Sequence, residues 1–387
     1  MSWRFAQISD THFGVKLAQL DTSVADALRQ AMRDAVAQCF HQAAEAGVAA
    51  VLLPGDLYDI KGNGAAEGLR YIYDEAKKYP AIKFIISPGN ADAYGIGCPY
   101  IEVPAPDNVY IFTSQAWRTI EVEGASITSR AFHTGEGIPQ MNWLSLPSPH
   151  PIQPAVLMLH GTLVGANDGR DHRIKVMPFT KDEILRAGYS YAALGHLHTK
   201  IELRGLNELV AGAYSGIPQC LSWDEQEPGG FILGELERAG ARISFHPTAK
   251  HALKQRTIPL PPLYVERYPA KLDAAHHQLT SNLEPTDLLR LKLHGELAEK
   301  RREEIDSWLA QARDAVYHFA QPDLSDLRFT ESIDPADLPS DTLLASFLKR
   351  CAEEETRGDA DLELYELVRR FGWQLFTGQG LPAEFDE

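Results

Sequence analysis

The sequence predicts a layered α/β fold, with central β-sheets flanked by helices. Two observations carry this. The first half of the chain alternates short unbroken apolar runs with stretches of helical period, the order that builds strands inside and helices outside. Several of these runs also end in a small cluster of aspartate, asparagine, histidine and glycine, the signature of a sheet edge that holds a ligand.

In chain order, Trp3–Ser9 reads as a strand. Thr22–Ala46 reads as a helix, because Val24, Leu28, Met32, Val36, Cys39, Phe40 and Ala43 fall on one stripe. Ala49–Pro54, with its continuous Ala-Ala-Val-Leu-Leu, is a buried strand. Ala65–Tyr79 is a second helix and Lys83–Ser87 a third strand. Further strands are expected at Val109–Phe112, Thr119–Glu123, Ala155–Leu159 and Tyr191–Leu194. Leu206–Ala211, Gly230–Glu237 and Ala241–His246 read as a closing antiparallel set.

The chain has 387 residues, more than the roughly 250–300 that one hydrophobic core usually serves. Two or three domains are therefore expected: a first at 1–250, a small α/β capping domain at 257–333, and a C-terminal helical segment at 340–387. Ile258-Pro259-Leu260-Pro261-Pro262 marks the first boundary as a proline-rich linker. Beyond it come a strand at Leu288–Leu293 and a charged helix around Glu296–Ala315. A second linker, Ile333–Pro339, precedes two amphipathic helices. One carries Leu343, Leu344, Phe347, Leu348 and Cys351; the other carries Leu364, Tyr365, Val368, Phe371 and Leu375.

The composition, 44% hydrophobic and 23% charged, is that of an ordinary globular enzyme. A net charge of −16 argues against a general nucleic-acid coating protein, which would be basic. It leaves room for a nuclease, because bound divalent ions supply local positive charge. Cys39, Cys98, Cys220 and Cys351 form no C-x-x-C pair, which excludes zinc-ribbon and thioredoxin-type sites. No apolar run approaches the roughly 18 residues of a membrane span, and Met1–Phe5 leads directly into a polar motif. A cytoplasmic protein with reduced thiols is expected.

Five segments carry the chemistry: Asp10-Thr11-His12, Gly55-Asp56-Leu57-Tyr58-Asp59, Gly89-Asn90-Ala91-Asp92, His160-Gly161 and Gly195-His196-Leu197-His198. Each follows an expected strand. A lone aspartate or histidine there is ordinarily a cap; five such segments in order are not explained as caps. The donors are carboxylate, amide oxygen and imidazole, without thiolate, a mixed set that suits manganese, iron or zinc. A carboxylate shared between two ions holds them roughly 3.5–4 Å apart, the spacing used in phosphoryl displacement. Arg170, His172, Arg173 and Lys175 form a polar loop, either solvated or touching a nucleic-acid backbone. Arg130 and His133 are weaker candidates for the site, and Trp3 and Trp143 read as packing residues.

These five motifs, in this order, resemble those of the calcineurin-like metallophosphoesterases. Within that superfamily the chain is similar to the SbcD-like and YhaO-like bacterial nucleases of DNA repair. Gly55–Asp59, Pro178-Phe179-Thr180 and Ala187–Leu194 leading into His-x-His carry that finer resemblance. It covers residues 1 to about 246 well, and the rest only weakly. The resemblance implies one divalent ion on Asp10, His12, Asp56 and His198, and a second on Asp56, Asn90, His160 and His196. Manganese is the expected metal, and a water between the ions the expected nucleophile. It also implies DNA as substrate and a long coiled-coil ATPase of the SbcC type as partner, docked through the C-terminal helices; it leaves a homodimer open. The other reading of those helices is that they pack on the second domain. Position 91 departs from the family, whose motif is Gly-Asn-His-Asp. The family's histidine meets the scissile phosphate and helps the leaving oxygen depart; Ala91 is either a natural divergence or an introduced substitution. A small-molecule phosphodiesterase or phosphatase, and a non-catalytic scaffold, are the alternative functions.

Overall fold

The structure is a computed structural model that describes residues 3–378 apart from 63, 137–143, 148, 151–152, 167–175, 206–208, 226–227, 265–267, 332 and 357–361, with the backbone alone at 362 and 363. The chain divides into two compact units, Met1–Leu253 and Lys254–Glu387.

The first unit opens with β1 (Trp3–Gln7), α1 (Thr22–Glu45), β2 (Ala50–Leu53), α2 (Ala65–Lys77), β3 (Lys83–Ile86), α3 (Pro99–Glu102) and β4 (Val109–Ile111). It continues through β5 (Arg118–Val122), β6 (Ala125–Ser129), β7 (Ala155–His160), α4 (Lys181–Arg186), β8 (Tyr191–Gly195), β9 (Ile201–Arg204), β10 (Val210–Tyr214), β11 (Gly230–Glu237) and β12 (Gly240–Pro247). The strands form one mixed sheet, in the order β4-β3-β2-β1-β11-β12-β10-β8-β7-β6-β5, with β9 paired to β10. β1 to β4 are mutually parallel, as are β10, β8, β7 and β6. The antiparallel β11 and β12 join the two parallel runs.

Strand side chains alternate between two faces, and the cores follow that period. Val51 and Leu53 of β2 pack with Met32, Val36 and Phe40 of α1 and Leu69 and Ile72 of α2. Their neighbours Ala50 and Leu52 pack the other way, into a core shared by Phe5, Ile85, Ile127, Val156, Met158 and Tyr191. That core lies between the two parallel runs, so the sheet folds over onto itself with helices on its outside. Leu157, Leu159, Ala192 and Leu194 face a further core with Ile184 of α4 and Phe179. α4 begins at a capping box: the Glu183 N–H donates to Thr180 Oγ1 at 3.2 Å, and the Thr180 N–H donates to Glu183 Oε2 at 2.7 Å.

The expected strands and helices of this unit are present, with shifts. β6, β9, α3 and α4 were not expected. The segment expected at Leu206–Ala211 runs as a strand over Val210–Tyr214, with residues 206–208 outside the described residues.

The second unit comprises β13 (Leu253–Pro259), α5 (Tyr268–Thr280), β14 (Leu288–Ala298), α6 (Arg302–Asp314), β15 (His318–Phe319), β16 (Asp323–Thr330), α7 (Leu343–Glu355) and α8 (Leu362–Thr377). Its core joins Ile258, Leu272, Leu291, Trp308, Leu344 and Trp373, so α7 and α8 each contribute a buried side chain. The charged helix expected from Glu296 begins only at Arg302. β14 continues to Ala298 because Gly295, Glu296, Leu297 and Ala298 pair in parallel with Leu327, Arg328, Phe329 and Thr330, a constraint set by residues some thirty positions downstream.

Candidate metal centre

The ends of β1, β2, β3, β7 and β8 bring the five motifs together. Backbone bonds tie the loops: the Asp10 N–H donates to the Gly55 carbonyl, the His12 N–H to the Asp56 carbonyl and the Gly161 N–H to the Gly195 carbonyl, at 3.1, 3.0 and 3.1 Å. The two halves of the sheet are pinned by Gln7, whose buried amide donates to the Leu194 and Ala213 carbonyls at 3.1 and 2.9 Å.

Two clusters of potential ligands result, Asp10 with His12 and His198, and Asp56 with His160 and His196. Within each, the donor atoms lie within 4.8 Å of one another. The clusters meet at Asp56. Its Oδ2 lies 3.7 Å from His12 Nε2 and 3.4 Å from His160 Nε2, while its Oδ1 accepts the Ala91 N–H at 2.7 Å. Asn90 Oδ1 is 3.0 Å from His160 Nε2. All seven residues named from the sequence are therefore assembled in one place, and they fit a pair of cations. Carboxylate, amide and imidazole atoms converge there, and one carboxylate oxygen is shared.

The backbone is strained at the same residues. Among the described residues, the non-glycine positions with positive φ include Asp10 at 57°, His12 at 44°, Asp56 at 53° and His196 at 105°. Such conformations cost about 1–3 kcal/mol each and persist where the surroundings enforce them. Three motif glycines explain how His160 is admitted. A Cβ on Gly55, itself at φ 93°, would lie 2.6 Å from His160 Nδ1 and 2.8 Å from Gly89 Cα. A Cβ on Gly89 would strike both Asp56 and His160, and one on Gly195 would strike the Pro54 carbonyl. Only glycine leaves room for the ring at these points.

Asp92, the last residue of the third motif, is fully buried and stitches the second motif to the third. Its Oδ1 accepts from Asp56 N and Gly89 N at 3.0 and 2.6 Å. Its Oδ2 accepts from Leu57 N at 2.8 Å and from the Tyr100 hydroxyl at 2.5 Å. Burial, with the Asp56 carboxylate nearby, pushes Asp92 up to about 6. Asp10 is also pushed up to about 6 by burial, against the pull of His160 and His198. Burial acts the same way on Asp56, but His160 and His12 outweigh it and hold that carboxyl well below the usual range. Burial would lower His160, yet the facing Asp56 carboxylate raises it to about 9.

Nothing in the sequence marks Glu225 as part of the centre. Its Oε1 lies 2.5 Å from His198 Nδ1, though it belongs to no motif and stands 27 residues away. His160 Nδ1 is backed instead by the Pro54 carbonyl at 2.9 Å. Of the weaker candidates, Arg130 and His133 flank the strand that leads into the third motif: Ser87 Oγ donates to the Arg130 carbonyl at 2.9 Å and the Phe132 N–H to the Pro88 carbonyl at 3.1 Å. Arg130 pairs with Glu136, and His133 Nε2 lies 3.0 Å from the Thr113 carbonyl, with its ring 5.5 Å from that of Tyr94. Trp3 is buried, and its indole donates to the Val122 carbonyl at 3.0 Å. Arg170, His172, Arg173, Lys175 and Trp143 lie outside the described residues. A cavity of about 370 Å³ adjoins the centre and is lined by His12 and His198, with Leu17, Leu20 and Trp223 as apolar wall and Lys16 among its residues.

The family model of the calcineurin-like phosphoesterases matches residues 4–200, about half of the chain and all five motifs. The chain belongs to that family. It is similar to the uncharacterized metallophosphoesterase YhaO of Bacillus subtilis (strain 168), at 26% identity over 207 residues. That match covers 50% of this chain, and the chain spans 47% of the relative's length. Among solved structures, it is similar to the purple acid phosphatase PPD1 of yellow lupin (Lupinus luteus), with a TM-score of 0.41 at 11% identity, covering 64% of this chain and 52% of that one. A dimetal phosphatase of Danio rerio matches with a TM-score of 0.39 at 10% identity, over 62% and 98% of the two chains. Among the described residues, no helix is long and apolar enough to cross a membrane.

Proposed function

We propose that this phosphoesterase is a two-metal phosphodiesterase acting on DNA, with manganese as its metal. One ion would be held by Asp10, His12, Asp56 and His198, the other by Asp56, Asn90, His160 and His196. The observation that carries the reading is the single oxygen, Asp56 Oδ2, standing between the imidazoles of both clusters. Bound there, divalent ions supply Lewis acidity to the phosphoryl group and lower the pKa of water.

The chain's own groups do the rest. The Ala91 N–H occupies Asp56 Oδ1 and so leaves Oδ2 to the ions. The Pro54 carbonyl accepts the Nδ1–H of His160, which turns the Nε2 lone pair inward. The apolar wall of Leu17, Leu20 and Trp223 offers a seat for the organic group on the phosphorus, and Lys16 a counter-charge for phosphate. Position 91 supplies no acid for the leaving oxygen. DNA is favoured as substrate by the resemblance of Gly55–Asp59 and of the segment leading to His196 and His198 to the SbcD-like nucleases. A small phosphodiester is the second reading, favoured by the cavity's volume of about 370 Å³, within the range of small-molecule sites. Labelled DNA and a nucleotide phosphodiester, each assayed with manganese, separate the two. Cleavage of DNA supports the proposal, and turnover of the nucleotide alone supports the second reading.

The proposed partner is a coiled-coil ATPase of the SbcC type. Leu364, Val368 and Leu375 of α8 are exposed at 51%, 39% and 65%, spaced to form one stripe along the helix, as a partner helix would require. Trp373 is buried in the second unit's core, so this stripe is distinct from the side chain that holds α8 to its own unit.

A further inference from the structure

The histidines of the two clusters are backed by different groups. His198 Nδ1 meets a carboxylate, Glu225, at 2.5 Å. His160 Nδ1 meets an uncharged carbonyl, that of Pro54, at 2.9 Å. We propose that Glu225 is a positioning residue of the metal centre, and that it makes the Asp10–His12–His198 cluster the tighter of two unequal cation sites. The proposal rests on the two-metal reading above.

Glu225 is built for this role. It is buried, with 7% of its surface exposed, and each carboxylate oxygen has its own task. Oε2 accepts the backbone N–H groups of Leu221 and Ser222 at 2.7 and 3.0 Å. The Glu225 N–H closes the same turn on the Ser222 carbonyl at 3.1 Å. Held in this way, the side chain offers Oε1 to His198 without reorganising. A carboxylate accepts and cannot donate, so the proton of neutral His198 sits on Nδ1 and the lone pair on Nε2. That Nε2 points into the cluster, 3.1 Å from His12 Nε2. A charge-assisted bond also makes the imidazole a stronger donor to a cation than a carbonyl partner does. The asymmetry follows: the site that contains His198 fills first, and the site that contains His160 fills second.

Glu225→Gln tests this. A glutamine has a single acceptor oxygen, which cannot serve both His198 and the turn. Manganese titration by calorimetry and electron paramagnetic resonance is expected to resolve two classes of site in the unsubstituted protein. In Glu225→Gln the tighter class weakens by about 10–100-fold while the weaker class keeps its affinity. Nitrogen chemical shifts of the metal-free protein are expected to show His198 as the Nδ1–H tautomer, and as a mixture in the variant. Equal weakening of both classes together with a lower melting temperature of the metal-free protein would make Glu225 a purely structural residue and overturn the proposal. An unchanged titration and an unchanged tautomer overturn it as well. If the unsubstituted protein binds no second ion, the two-metal reading fails. The tautomer measurement, made without metal, still decides the role of Glu225.

Discussion

His12 and His198 stand with their Nε2 atoms 3.1 Å apart and their ring centroids 5.0 Å apart, tilted by 46°. His12 leaves the first strand of the chain and His198 the eighth, 186 residues later. With Glu225 at His198 Nδ1, the Nε2 atom of His198 faces His12 Nε2 at hydrogen-bond distance. The Asp10 carboxylate lies in the same cluster. The fold thus gathers carboxylate and imidazole groups in one place, where burying them without a partner would be costly.

Position 91 is the first place to test the chemistry. The Ala91 N–H binds Asp56 Oδ1 through the backbone, so a new side chain there leaves that bond in place. Ala91→His is expected to raise manganese-dependent cleavage by about 10²–10⁴-fold, the usual worth of a positioned acid, with manganese affinity unchanged. A variant no faster than the parent in steady-state assays would assign leaving-group assistance to another residue.

Gly55 tests the cradle around His160. Gly55→Ala must hold φ near 93° and set a methyl 2.6 Å from His160 Nδ1 and 2.8 Å from the Gly89 backbone. A loss of about 1–3 kcal/mol in folding stability is expected from the strain, together with lost manganese at the site that contains His160. Denaturant unfolding and metal analysis check both. A variant with parental stability and metal content would refute the steric argument.

Metal binding should expel protons. In the metal-free protein the His160 pKa is raised by Asp56 to about 9, so the imidazolium dominates at pH 7. A cation needs the neutral ring, so manganese affinity is expected to rise with pH toward about 9 and then level. The same shift governs metal-free stability. A folded-state value raised from 6.5 to about 9 contributes stability fully below pH 6.5, and that contribution is lost as pH rises through about 9. Calorimetry in buffers of different ionisation enthalpy reads the released proton; heats independent of buffer at pH 7 would contradict the prediction.

The two faces of α8 should respond differently. Trp373→Ala removes a buried ring of the second unit's core and is expected to cost about 3–5 kcal/mol. Leu375→Glu changes a side chain that is 65% exposed and is expected to leave thermal stability within about 0.5 kcal/mol while abolishing co-purification with the proposed SbcC-type ATPase. If Leu375→Glu instead melts like Trp373→Ala, the stripe belongs to the chain's own packing.

How much was legible follows from the distance between cause and effect. Asp10, His12, Asp56, Asn90, His160, His196 and His198 were readable because each follows a short apolar strand, and strand ends gather in space. Glu225 was not, because nothing local marks the turn at Ser222–Glu225 as lying under His198. The same limit applies to β14, whose extension to Ala298 depends on pairing with β16. α5 is a different case. Tyr268, Leu272, Ala275 and Leu279 are buried at helical spacing, but the stripe is thin, and no element is expected from it between the proline-rich segment and Leu288.

The central claim is that two ions share Asp56, and the most direct measurement is manganese bound per chain alongside phosphodiester hydrolysis, in the parent and in Asp56→Ala. The parent is expected to bind two ions, with hydrolysis appearing as the second is filled. Asp56→Ala is expected to lose affinity at both sites, and hydrolysis with them. Full metal content in Asp56→Ala, or hydrolysis that persists in the parent under a strong chelator, would contradict a shared two-metal centre.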